Sequence, residues 1–179
     1  MLSIPNEDGR PLAPKLRLNK RFQPCPVEPE DELYPNGIFV FNITRLQAFI
    51  DAHLDQFPAE NIAVADLSAI GASGLDEDAV LRADLSRPIL LAEISPGRYN
   101  VIDGNHRVGR ARRDGLATVP GRRIASPVHI VFLTSGIGYE RYVEYWNGKV
   151  REMERDRHRL ASAAGRTTGH LRPSPVGKR

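Results

Sequence analysis

The residues with the clearest chemistry are Asp103-Gly104-Asn105-His106-Arg107. They stand where the apolar, β-branched run YNVID hands over to NHRVGRARRDG, a helix-forming run. Glycine permits a tight turn and a close backbone approach. A helix start presents free N–H groups and the positive end of the helix dipole, which together favour an anion. His106 and Arg107 in the first turn add charge-assisted donors suited to phosphate oxygens. Asp103 at the strand end can hold Mg²⁺, which takes a carboxylate or two together with substrate phosphates. Arg110 lies three residues beyond Arg107 and can share its face. The expected site is therefore Asp103 as metal ligand, Asp103 and His106 in catalysis, and Gly104, Asn105, His106, Arg107 and Arg110 on nucleotide phosphate. The same residues also suit a plain strand–turn–helix junction, with Asp103 capping the helix and Arg107 exposed.

The surrounding pattern predicts the elements that would place this turn. PILLAEI (88–94) and YNVID (99–103) are strands joined by SPGR, so they form an antiparallel hairpin. Gly115 closes the helix that follows. Residues 37–42 and 61–67 read as short strands. TRLQAFIDAHLDQFP places Leu46, Phe49, Ile50, His53, Leu54 and Phe57 on one helical face, with Asn42 or Thr44 as cap and Pro58 as stop. DEDAVLRADL predicts a short helix with acidic residues in its first turn. TVPGRRI is read as holding a short edge strand, and PVHIVFLT (127–134) as a strand. A long helix is expected from about 138 to 163, weakened at Gly148. The order mixes neighbouring antiparallel strands with helices, which favours an α+β fold with a small mixed sheet.

Seven of the fourteen prolines fall in residues 1–36, which predicts an extended arm against a body spanning 37–135. Residues 164–179 have the composition of a disordered basic tail. At 179 residues, with 41% apolar and 26% charged, the chain suits one domain with tails, at roughly 100–200 residues per domain. Cys25 is the single cysteine, so an internal disulfide and multi-cysteine zinc sites are excluded. The N-terminus lacks the signature of a signal peptide, no apolar run suits a membrane span, and a cytoplasmic protein is the expectation. The net charge of +3 is uneven. Residues 151–179 carry eight Lys/Arg against three Asp/Glu, whereas the rest is slightly acidic.

The stretch PILLAEISPGRYNVIDGNHRVGRARRDGLATVPGRRI resembles the ParB/sulfiredoxin-like family. Its members show a strand beginning Pro-Ile, a hairpin, and Gly-x-[His/Arg]-Arg opening a helix, with Ala four residues after the Arg and a closing Gly. Pro88-Ile89, Gly104, His106, Arg107, Ala111 and Gly115 fit that pattern. Sulfiredoxins carry a catalytic cysteine where this chain has Asn105, which cannot act as a thiolate. ParB partition proteins read Gly-Glu-Arg-Arg and carry further motifs that are not found here. Free serine kinases of the superfamily read Asp-Gly-His-His-Arg, to which Asp103, Gly104, His106 and Arg107 are most similar. The resemblance implies binding of ATP, ADP or CTP with Mg²⁺, and phosphoryl transfer or nucleotide hydrolysis. It also implies a glutamate base, for which Glu28, Glu30, Glu32 and Glu60 are the candidates.

The alternative is a non-catalytic regulatory module. Its basic helix (Arg107, Arg110, Arg112, Arg113), together with Arg122, Arg123 and the basic tail, would contact DNA or an acidic partner. Tyr139, Tyr142, Tyr145 and Trp146 recur at helical spacing, which suits packing against the sheet and also stacking on a base. His53 and His129 are expected in or beside the core, and Cys25 as a small filler.

Overall fold

The computed structural model describes residues 13–67 and 75–167, with side chains as far as 162. The IGASG turn, most of the basic tail and the first residues of the arm lie outside the described residues. The fold is α+β. Strands β1 (Leu33–Asn36) and β2 (Phe39–Asn42) form a hairpin, followed by helix α1 (Ile43–Asp51). Then come β3 (Glu60–Ala63), α2 (Glu77–Arg82), β4 (Ile89–Ser95), β5 (Arg98–Asp103), α3 (Asn105–Arg113) and β6 (Thr118–Ile124). After β6 come the single turn α4 (Ser126–His129) and the long helix α5 (Gly136–Thr167).

The main sheet has the order β3-β6-β4-β5. Strand β4 pairs antiparallel with β5 and parallel with β6, while β6 pairs antiparallel with β3. A parallel neighbour cannot be reached by a tight turn. The chain therefore leaves β4 through the β5 hairpin, crosses through α3 and returns as β6. Side-chain alternation along β4 feeds two cores. Ile89 and Leu91 pack with Ile62, Val108, Ala111 and Val119 beneath α3. Leu90, Ala92 and Ile94 pack with Leu46, Ile50, Tyr142 and Trp146 beneath α1 and α5.

Two expectations are corrected. TVPGRRI is interior to the sheet rather than at its edge. Gly121 makes this fit possible, because a Cβ there would stand 2.6 Å from Ile62 Cγ1 and 3.0 Å from Leu91 Cδ1. Pro120 is tolerated because it faces Asn61 of β3, one residue before the β4 ladder begins at Gly121. Residues 127–134 are not a strand. Pro127 sits in the first turn of α4, where its missing donor costs nothing, and a 3-10 turn at Ile130–Phe132 follows. A short apolar run suits a buried helical turn as well as a strand. Two smaller shifts follow the same logic. Helix α1 stops at Asp51, so His53 lies beyond it, and β3 gives way to a 3-10 turn at Val64–Asp66. Helix α5 runs unbroken through Gly148.

Of the arm expected over 1–36, the described residues 13–32 lie against the body, and Leu33–Asn36 instead form β1. Leu16 N–H donates to Asn147 Oδ1 and Asn147 Nδ2 donates back to Leu16 O (2.8 and 2.9 Å). Trp146 Nε1 donates to Pro14 O, and Phe22 stacks on Tyr139 with ring centroids 3.9 Å apart. Tyr139, Tyr142 and Trp146 of the aromatic series on α5 are thus occupied in packing, whereas Tyr145 is exposed. Cys25 is buried and its backbone N–H donates to Leu133 O, so it fills and pins the arm.

His129 is fully buried beside Phe41 and Tyr142. Its Nε2 donates to Glu93 O (2.9 Å), and the Tyr142 hydroxyl donates to the same carbonyl (2.7 Å). One β4 carbonyl thereby uses both lone pairs to fasten α4 and α5. His129 Nδ1 has no partner, and burial lowers the imidazole from 6.5 to about 4. Between those values the unfolded chain binds more protons than the folded one. Stability is then full above pH 6.5 and falls as the pH drops towards 4, by about 3 kcal/mol. His129→Gln, which keeps a donor for Glu93 O, should flatten the decline of Tm with acid in thermal melts across that window. Parallel Tm–pH curves for the two proteins would refute the assignment.

Candidate functional site

The DGNHR turn is built where β5 ends and α3 begins. Gly104 is the N-cap residue of α3 and adopts φ 93°, in the left-handed region. A Cβ there would stand 2.6 Å from Ile89 Cγ2 and 2.7 Å from Arg107 Nε, so both conformation and space require glycine. No side chain caps α3. Asp103 instead accepts from Arg107 Nη2 at 2.7 Å, one helical turn away. The Arg107 side chain is only 12% exposed and Asp103 21%. The plain-junction reading, with Asp103 as cap and Arg107 in solvent, is therefore not what the chain adopts. Arg107 Nε is buried without a hydrogen-bond partner, a costly arrangement for a guanidinium N–H.

Asp103, Gly104, Asn105, His106 and Arg107 all line one cleft of about 470 Å³. Arg82, Asp84 and Arg87 border it, with Leu75, Ala79 and Ile102 as apolar wall. A second cleft of about 520 Å³ adjoins it, lined by Thr44, Gln47 and Asp51 of α1. Glu32, Arg87, Asp103 and Arg107 belong to both, so the ion pair stands on the boundary between the two. Their volumes lie in the usual range for small-molecule sites, roughly 300–1,000 Å³.

Glu32 reaches this place through the start of α1. Asn42 is fully buried and caps α1 by accepting from Arg45 N–H (3.0 Å). Its amide donates to Asp31 Oδ2 (2.7 Å) and Pro26 O (3.0 Å), binding the arm to the helix. Asp31 also accepts from Glu28 N–H. That bond, the Asn42 amide and nearby Arg45 hold its carboxyl below the usual range. Glu32 N–H then donates to Thr44 Oγ1, and Glu32 O accepts from Ile43 N–H, both at 2.8 Å. The other candidate bases stand elsewhere. Glu60 pairs with Arg123 and Glu28 with Arg45, and neither they nor Glu30 line the clefts.

Arg110 is not in the cleft. Its Nε pairs with Asp114 (2.8 Å) and its Nη1 donates to Leu81 O, tying α3 to α2. The other arginines of the basic cluster are similarly employed. Arg112 donates to Leu67 O, Arg113 to Glu77, and Arg122 to Phe57 O. Arg123 lies over the Tyr99 ring as well as beside Glu60. The cluster that suggested a DNA-binding face is largely engaged in hydrogen bonds and ion pairs within the chain, several of them at the surface.

Arg87 is the residue that sequence reasoning passed over. The hairpin supplies its signal: Leu90 pairs with Asp103, so residues just before β4 lie beside residues just after β5. Among the described residues no group of three or more His, Cys, Asp or Glu side chains is arranged to hold a metal by itself. No described helix is long and apolar enough to cross a membrane. No family model, curated protein or solved structure matches the chain.

Gly104→Ala should cost about 2–3 kcal/mol, combining the left-handed penalty with overlap against the buried Ile89 side chain. Chemical denaturation would measure it. A loss below about 0.5 kcal/mol, the size of a neutral surface change, would show that the turn is not under this constraint.

Proposed function

We propose that the DGNHR turn binds the phosphates of a nucleotide and supports Mg²⁺-assisted phosphoryl transfer or hydrolysis. One observation carries the reading: all five residues of the turn line a cleft that also holds Glu32 and Arg87. The resemblance of this segment to the ParB/sulfiredoxin-like family, and to its free serine kinases in particular, points the same way.

In this reading Arg107, Arg87 and His106 neutralise phosphate oxygens, and the first backbone N–H groups of α3 donate to them. The apolar wall of Leu75, Ala79 and Ile102 takes the nucleoside of ATP, ADP or CTP. Magnesium, when bound, supplies further charge neutralisation on the phosphates. Asp103 would hold it as a single carboxylate ligand, with one oxygen committed to Arg107. Glu32 is the proton acceptor for the attacking hydroxyl or water. The acceptor O–P bond forms as the terminal P–O bond breaks, leaving the nucleoside diphosphate of ATP or CTP, or the monophosphate of ADP. Such chemistry depends mainly on positioning and electrostatics. Binding of DNA through the basic helix has less support, because Arg110, Arg112, Arg113, Arg122 and Arg123 are already engaged within the chain.

A thermal-shift panel of ATP, ADP, CTP and GTP with Mg²⁺ tests the reading. At about 100 times its Kd a ligand stabilises by about 2.7 kcal/mol. One nucleotide should raise Tm, and Arg107→Ala should remove the shift. Glu32→Gln should keep the shift while abolishing release of the nucleotide shortened by one phosphate. Absence of any shift with all four nucleotides would overturn the proposal.

A further inference from the structure

The ion pair at the boundary of the two clefts has a consequence for which ligand can enter. Arg107 cannot serve a phosphate fully while Nη2 is held by Asp103 at 2.7 Å. Asp103 cannot offer its full charge to a cation while Arg107 neutralises it. An anion that drew Arg107 away alone would leave a largely buried carboxylate unpaired. A cation that took Asp103 alone would leave a largely buried guanidinium unpaired, with Nε already lacking a partner. Removing one member of such a pair exposes the desolvation cost of the other. A ligand that brings both charges at once avoids both penalties. Gly104 adds to the effect, since the guanidinium lies against its Cα and fills the space a Cβ would need.

We infer that the Asp103–Arg107 pair makes the site selective for the divalent-metal complex of a polyphosphate over either component alone. The inference rests on the nucleotide reading above and goes beyond it by assigning the pair to selectivity. It also runs against simple electrostatics. A cleft that was merely cationic would bind the metal-free polyphosphate more tightly, because stripping the metal raises the ligand's negative charge.

Titration calorimetry on the full chain tests this with the nucleotide that gives the thermal shift, and with inorganic pyrophosphate in parallel. Each ligand is measured with Mg²⁺ and with EDTA, and Mg²⁺ is titrated alone. In the wild type the magnesium complex should bind at least about tenfold more tightly than the metal-free ligand, a coupling of about 1.4 kcal/mol. Magnesium alone should give no measurable heat. Asp103→Ala should reverse the order: metal-free ligand gains affinity because Arg107 is released, and magnesium no longer helps. Asp103→Asn, which keeps the side-chain size, serves as second variant and should shift in the same direction. Equal or tighter binding of the metal-free ligand by the wild type would overturn the coupling and leave the phosphate site standing. Loss of both forms of ligand in both variants would also overturn it. Failure of every ligand to bind the wild type under either condition would overturn the site itself along with the inference.

Discussion

Strand β4 is buried on both faces, and most of the molecule is arranged to cover it. Ile89, Leu90, Leu91 and Ala92 are each no more than 2% exposed. Such a strand needs a neighbour on each edge and a layer on each face. The edges are β5 and β6; the layers are α3 on one side and α1 with α5 on the other. The Glu93 carbonyl adds a polar fastening to the apolar one. It holds His129 and Tyr142 and so anchors the chain after the sheet to the strand at its centre.

The location of the cleft follows from that constraint. The parallel β4–β6 pair requires a crossover, and α3 is its helix. The first turn of α3 must then begin where β5 ends, one hairpin away from the start of β4. Arg87 before β4 and Asp103 at the end of β5 line the same cleft for that reason. Glu32 arrives by a separate route, through the Asn42–Asp31 network that ties the arm to α1. The residues of the cleft therefore come from segments that are distant in sequence, held together by the burial of β4 and by one buried asparagine.

Charge is distributed by the same geometry. Most of the arginines around α3 donate to backbone carbonyls or carboxylates, so they act as ties between elements. Arg110 joins α3 to α2, Arg112 reaches Leu67 O, and Arg122 reaches Phe57 O. Arg107 differs because its partner is a carboxylate that itself borders the cleft. Arg82 and Arg87, exposed at the rim, add to the positive field, with the Asp84 carboxylate near Arg87.

Local chemistry in the sequence determined a good deal of this. Alternation and a four-residue turn marked the β4–β5 hairpin. Gly104 marked the left-handed entry to α3 and Gly115 its end, where φ is 67°. The three- and four-residue spacing in 44–57 marked α1, and prolines marked the arm. The α+β class follows from the order of those elements. Only the tertiary structure decided what neighbours each segment would find. PVHIVFLT reads as a strand by composition, but Pro127 lies in the first turn of the helix that replaced it, and Leu133 makes one isolated bridge to Phe41. TVPGRRI shows little β-signal because its burial depends on Gly121 admitting Ile62 and Leu91. That Glu32 lines the clefts while Glu28, Glu30 and Glu60 do not goes with the hydrogen bond of its backbone to Thr44 at the start of α1. The opposite fates of Arg107 and Arg110, three residues apart on one helix, depend on Asp103 standing near one and Leu81 O near the other. Propensity and spacing act along the chain and can be read from it, whereas pairing between distant segments is settled only by which surfaces are buried together.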